Sequence, residues 1–183
     1  AILVSDEVYD HFDFTGAFTS ALSFDSEHVV VTNSFSKTYA ITGFRVGYAV
    51  LPERDAPAAR TRNMLTNVAT SRPAQAAVLE ALRTTDASYH EANRERLRER
   101  VETFTAALDR AGAEYTTPDG AFYVLARFPD YPGTMANAKR LIDEAGVAGM
   151  PGEAFGDARS DWLRFALVSP RVETAAERLI DFF

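Results

Sequence analysis

Two periodicities divide the chain. Residues 1–50 carry short, nearly unbroken apolar runs at 1–4, 29–31 and 44–50, the last interrupted by one charge, Arg45. Runs of this length, rich in β-branched residues and bounded by polar clusters, predict strands, with 29–31 covered on both faces. Residues 11–28 mix aromatic and polar positions without a period and read as a connecting loop with a short helical turn. Pro52 ends the third run, 53–65 leads through a turn into helix, Pro73 marks a break, and 74–82 reads as a short helix of small residues.

Asp86 is placed to cap the longest helix, which ends before Gly112. Leu97, Val101, Phe104, Leu108 and Ala111 fall on one stripe at steps of four and three, while the stretch ANRERLRER supplies alternating charges to the other face. At about 1.5 Å per residue this helix approaches about 40 Å. The pattern then shortens to strands at 114–117 and 121–128, separated by Pro118-Asp119-Gly120 with glycine expected at the positive-φ position. Met135, Ala138, Leu141, Ile142 and Ala145 form the stripe of a further helix closed by Gly146. A glycine-punctuated loop from Met150 leads to a strand at 162–168, and a last helix covers 172–183.

The resulting fold class is α/β. A partial domain over 1–85, with a mostly parallel but incomplete sheet, is followed over 86–183 by the long helix and a small α+β domain. The sequence opens inside a strand with no initiating methionine, which sets the expectation that further strands lie upstream.

Composition narrows the chemistry. There is no cysteine, and the three histidines, His11, His28 and His90, show no ligand spacing, so no metal site is assigned. No apolar run approaches the roughly 20 residues that span a bilayer. A net charge of −7 argues against nucleic acid as a partner. No membrane association and a cytoplasmic location are the expectations. Of nineteen basic residues only Lys37 and Lys139 are lysine. Lys139 points off the stripe of its helix, whereas Lys37 lies in a polar cluster at the end of a strand, where open α/β sheets place ligands.

That cluster, in VVVTNSFSKTYAITGFRVGYAV (residues 29–50), combines hydroxyls from Ser34 and Ser36 with the guanidinium of Arg45, a set that fits a phosphate. A lysine beside cationic groups and partly desolvated loses proton affinity, so its neutral amine can attack a carbonyl carbon. Arginine cannot do this, because it stays protonated. A Schiff base between Lys37 and an aldehyde that also bears a phosphate is one reading; a solvated loop lysine with an ordinary strand-end arginine is the other. At the end of the first strand, Asp6 is suited either to a protonated ring nitrogen or to capping the next element, and Tyr9 either to a ligand contact or to a half-buried core position. Glu7 and Asp10 read as solvated. Arg164, charged within an apolar strand, requires a carboxylate partner, either internal or belonging to a ligand.

The string SFSKTYAITGFRVGY resembles the lysine motif of the class I/II aminotransferases, the fold-type I pyridoxal-phosphate enzymes. SDEVYD (5–10) resembles the same family's pyridine-binding segment, and DGAFYVL (119–125) and PGEAFGDARSDWLRFAL (151–167) resemble its small-domain signatures. The four occur in family order and span nearly the whole chain. The resemblance implies pyridoxal 5'-phosphate held on Lys37, its phosphate on Ser34, Ser36 and Arg45, its ring nitrogen on Asp6 and its phenolic oxygen near Tyr9. It also implies an α-carboxylate of the substrate on Arg164, transamination between an L-amino acid and a 2-oxo acid of the aspartate-aminotransferase kind, and a homodimer. The same motif serves β-elimination or cyclising lyases, aminotransferase-like sensor domains of transcription regulators, and a fragment inert without its other half. These alternatives remain open at the level of sequence.

Overall fold

Burial alternates along residues 29–34, and the first part of the chain is built on that strand. The computed structural model describes residues 1–183 and divides into two units, Ala1–Glu91 and Ala92–Phe183. In the first, β1 (Leu3–Asp6), β2 (Val29–Ser34) and β3 (Gly47–Val50) form a sheet in that order, with β1 parallel and β3 antiparallel to β2. Val29, Val31 and Asn33 are buried, while Val30, Thr32 and Ser34 are half-buried. The valine run thus has one covered face rather than two, and the strand continues through the polar residues expected to end it. The backbone ladder to β3, which runs on to Ser34 after that to β1 ends at Thr32, carries it that far, whatever its side chains.

The first strand begins two residues later than its apolar run suggests, and its side chains are largely open: Ile2 is 62% and Val4 63% exposed. β1 lies at the edge of the sheet as the chain forms it. After a one-turn helix, α1 (Phe35–Thr38), the chain returns through β3 to α2 (Ala56–Asn67), which has no buried residue, and α3 (Arg72–Thr84), which buries Ala74 and Val78. Pro73 does not break a helix. It sits in the first turn of α3, where its missing N–H costs no hydrogen bond.

Two carboxylates read as solvated are taken up by this unit. Glu7 is buried; its Oε1 accepts from the Ala21 amide at 2.8 Å and the Ser5 hydroxyl at 3.1 Å. Asp10 is partly buried, with Oδ1 2.6 Å from His11 Nδ1 and Oδ2 accepting from Asn33 Nδ2 at 2.9 Å. The loop after β1 folds back across the end of β2, so these groups meet donors that no local pattern reveals.

In the second unit, the body of α4 (Ala87–Arg110) buries Leu97, Val101, Phe104, Ala107 and Leu108. Strands β4 (Glu114–Tyr115), β5 (Tyr123–Arg127), β6 (Met150–Pro151) and β7 (Leu163–Ala166) form an antiparallel sheet in the order β4-β5-β7-β6. Val124 pairs with Phe165 and Ala126 with Leu163, and all four are buried; Phe165 packs on Phe104 with ring centroids 5.2 Å apart. Two helices complete the unit, α5 (Met135–Ala145) and α6 (Val172–Phe182). Thr134 caps α5 by accepting from the Asn137 amide, and Gly146 closes it at φ 65°. The α5 stripe is narrower than its spacing suggests: Ala138 and Leu141 are buried, while Met135 and Ile142 are about half exposed at 51% and 48%. In the turn before β5 the positive φ falls on Ala121, at 58°, not on Gly120. The Phe122 carbonyl must meet the Leu167 amide, 2.8 Å away, and that pairing overrides residue preference. No helix is long and apolar enough to cross a membrane.

Two predictions concern stability. A Cβ on Gly152 would lie 1.8 Å from the Arg159 carbonyl oxygen and 2.3 Å from that of Trp162, whereas one on Gly43 meets nothing within 4 Å. Gly152→Ala is expected to destabilise by about 1–3 kcal/mol through backbone displacement, and Gly43→Ala to stay within about 0.5 kcal/mol, as read by chemical denaturation. Burial pushes the Asp10 carboxyl up, but the hydrogen bond and charge of His11 and the Asn33 amide outweigh it and hold the group below its ordinary value of 3.8. A depressed folded pKa contributes stability above the unfolded value and loses it as pH falls through the folded one. Asp10→Asn should therefore cost about 1–3 kcal/mol near neutrality, and denaturation at stepped pH should show the difference from the parent closing below 3.8.

Candidate functional site

β2 ends in a tight reversal that carries most of the candidate residues. Ser34 is still extended, at φ −144° and ψ 160°, and Lys37 follows in the single turn of α1. Such a turn leaves most of its backbone groups without helical partners. Here the Phe35 amide donates to the Val46 carbonyl at 3.2 Å, and the Thr42 hydroxyl donates to the Ser36 carbonyl at 3.1 Å. The chain then turns back through Ala40 and Arg45, both at φ 55°. Gly43 lies within this reversal, in a short 3-10 segment, Thr42–Phe44. Left-handed backbone at a residue with a Cβ costs about 1–2 kcal/mol. The return of β3 alongside β2, with Gly47 opposite Ser34, imposes it.

The reversal separates the candidate phosphate ligands by exposure. Ser36 is buried, Ser34 and Lys37 are half-buried, and Arg45 is exposed, its Nη1 donating to the Thr42 carbonyl at 2.6 Å. Asp6, the last residue of β1, stands beside Thr32 in the parallel ladder, and Tyr9 is half-buried in the turn that follows. Six candidates, Asp6, Tyr9, Ser34, Ser36, Lys37 and Arg45, thus gather around the carboxyl ends of the parallel pair β1 and β2, the ligand edge of an α/β sheet. A cleft of about 1030 Å³ opens beside them, lined by Thr42 and Arg45 and by Asn63, Asn67, Thr70 and Ser71. Hydroxyls, a guanidinium, an amine, a carboxylate and a phenol form a donor set that fits a phosphorylated pyridine aldehyde.

Arg164 belongs to the second unit. Strand alternation puts it on the face of β7 opposite the buried Leu163 and Phe165. It is half-buried, and no ion pair to a protein carboxylate is found for it. Its guanidinium carbon lies 4.4 Å from the Tyr123 ring centroid and 4.8 Å from that of Phe155, and Nη2 is 3.3 Å from Met150 Sδ. The two rings and the Met150 sulfur are the neighbours found for the guanidinium, so its half-buried position is met without an internal carboxylate.

Sequence reasoning missed the contacts around these groups. Asn33 was only one member of the polar cluster, yet it is buried, accepts from the Ser34 amide through Oδ1 at 2.7 Å and donates to Asp10. Burial, followed by the Asp10 and Glu7 carboxylates, pushes the nearby Tyr48 phenol above its ordinary value. Period 2 along β2 was the available signal: it places Asn33 on the same side as Val29 and Val31. Tyr123 and Phe155 carried no signal beyond their presence in two motifs.

The family model "Aminotransferase class I and II" matches residues 1–180. The chain is 37% identical over 182 residues to a probable aspartate/prephenate aminotransferase of Thermus aquaticus, covering 96% of this chain and 46% of that protein. It is 34% identical to an aspartate aminotransferase of Thermotoga maritima, covering 98% and 47%. The solved structure of a Thermus thermophilus aspartate aminotransferase single mutant superposes with a TM-score of 0.90 at 31% identity, over 100% of this chain and 48% of that one. An aromatic aminotransferase from Pyrococcus horikoshii gives a TM-score of 0.87 at 28% identity, over 99% and 50%. The chain therefore spans about half the length of the relatives it matches. With a family model running across 180 of its residues, the chain belongs to the class I and II aminotransferase family.

Proposed function

We propose that the full-length protein is a pyridoxal-phosphate-dependent aminotransferase of the aspartate type, moving an amino group between an L-amino acid and a 2-oxo acid. The observation that carries this reading is the placement of Lys37 at the carboxyl end of β2, flanked by Ser34, Ser36 and Arg45 and one strand from Asp6. Class I and II aminotransferases use pyridoxal phosphate, and the donor set gathered here suits it. Ser34, Ser36 and Arg45 would hold the phosphate, Asp6 the ring nitrogen and Tyr9 the phenolic oxygen. When bound, the cofactor supplies an electron sink for the bond broken at the substrate Cα.

The remaining work falls to the chain's own side chains. Lys37 Nζ would take the proton that leaves the substrate Cα and deliver it to the C4′ carbon on the cofactor side, acting as general base and then as general acid. The Asp6 carboxylate keeps the ring nitrogen protonated by accepting its hydrogen bond. Arg164 would receive the substrate α-carboxylate on its guanidinium fork, with the Tyr123 and Phe155 rings beside it. The names of the relatives support an aspartate-type donor. Apolar side chains exposed on α2 and α3, including Leu65 at 74% and Leu82 at 50%, support a homodimer. The net charge of −7 supports small-molecule partners rather than nucleic acid, and a cytoplasmic location without membrane association is part of the same proposal.

Two substitutions in the full-length protein test this assignment. Lys37→Ala is expected to abolish transamination and the label fixed at this position by borohydride after incubation with pyridoxal phosphate; peptide mapping separates it from Lys139, the other lysine of residues 1–183. Arg164→Leu should raise KM for both amino and oxo acid by about 30-fold or more, the loss expected on removing one partner of a charged pair. Labelling of Lys37 should be unchanged in that variant. Steady-state kinetics with unchanged KM would remove Arg164 from the substrate site.

A further inference from the structure

The turn that carries Lys37 cannot hold itself. Four residues make up α1, and isolated helices shorter than about 12 residues are marginal in water. On one side Phe35 is braced by Tyr48 of β3, with ring centroids 5.6 Å apart. On the other side the support comes from segments distant in sequence. Tyr39, directly after the turn, meets His90 of α4 edge-on at 5.3 Å. His90 lies 4.8 Å from the His11 ring and is flanked by Tyr89 at 5.3 Å. His11 Nδ1 is 2.6 Å from the Asp10 carboxylate, Asp10 accepts from Asn33 at 2.9 Å, and Asn33 accepts from the Ser34 amide at 2.7 Å. This series of contacts leaves the backbone at Ser34 and returns to it at Tyr39, with Lys37 in the segment between. Every member lies within Ala1–Glu91.

We propose that His90 is a positioning residue for Lys37, closing a ring of side chains (Asn33, Asp10, His11, His90 and Tyr39) around the lysine turn. The proposal rests on the reading of Lys37 as the amine that takes the cofactor. His90 touches neither substrate nor cofactor in this assignment. It fills the space between His11, anchored through Asp10 to β2, and Tyr39, so that both ends of the 34–39 segment are fixed to one strand end. The contact to Tyr39 is made by the ring as an aromatic body, so a phenyl group should replace it, whereas a methyl group should leave Tyr39 unsupported. Reactions at a positioned amine are sensitive to such loosening, because a displacement of about 1 Å costs up to about a hundredfold in rate.

The test compares the full-length parent protein with His90→Ala and His90→Phe. Each is incubated with pyridoxal phosphate and reduced with borohydride over a time course, and the label is quantified separately at Lys37 and Lys139, alongside a thermal melt. The expected result is labelling of Lys37 slowed by about tenfold in His90→Ala, a return to within about twofold of the parent in His90→Phe, and an unchanged rate at Lys139 in both. Parent-like labelling of Lys37 in His90→Ala would overturn the proposal. So would a change at both lysines together, or a loss in His90→Ala that His90→Phe does not restore, since either outcome assigns His90 to general folding. A parent protein that takes no label on Lys37 would overturn the cofactor reading itself, and the comparison between parent and variants keeps that failure distinct.

Discussion

The structure of the site depends on one constraint: β2 is paired with β3 up to its last residue, while β1 holds its other edge as far as Thr32. The β1 ladder begins at Val29 opposite Leu3, and the β3 ladder ends at Ser34 opposite Gly47. A strand end held this way cannot slide or fray without breaking the β3 ladder. The Lys37 turn therefore starts from a fixed point and must return to one, because β3 re-enters beside the same strand. Two residues that carry a Cβ, Ala40 and Arg45, accept left-handed backbone to make that return. Gly47 stands where a Cβ would come within 2.7 Å of the Asn33 carbonyl oxygen. Strain of this kind persists only where the surrounding structure over-determines it.

Polar groups that satisfy one another connect this strand end to the rest of the first unit. Buried Glu7 and Asn33 and partly buried Asp10 all find partners, and no buried side-chain nitrogen or oxygen is left without a hydrogen bond. The cost of an unmade buried hydrogen bond, about 1–3 kcal/mol, exceeds the gain from a typical made one. The network therefore holds the loop after β1 in a single arrangement rather than merely adding stability. In the second unit the comparable device is aromatic. The Arg164 guanidinium carbon lies near two rings, Tyr123 at 4.4 Å and Phe155 at 4.8 Å, and an interaction worth about 0.5–2 kcal/mol helps to order it.

Most elements are legible from the sequence because they rest on period and composition. The stripe at Leu97, Val101, Phe104 and Leu108, the cap at Gly146 and the alternation around Leu163 and Phe165 are properties of neighbouring residues, and the structure places them where the pattern does. Local chemistry also marks Ser34, Ser36, Lys37 and Arg45 as a group, since four functional side chains within one strand-turn-strand stretch need no long-range information to be found together. Residue types alone show that a phosphate and an aldehyde suit them.

Tertiary structure decided what depends on residues distant in the chain. Asp10 looks solvated until the loop after β1 brings it to Asn33, and His90 is unremarked until α4 brings it to His11 and Tyr39. Arg164 looks in need of an acid until Tyr123 and Phe155 are seen beside its guanidinium. Positive φ at Ala121 in place of Gly120 follows from the pairing of Phe122 with Leu167. Propensity and pattern are sums over neighbours and so determine elements and reactive groups. Partnership, burial and backbone strain are set by whichever distant segment fills the remaining space, and that is a property of the fold.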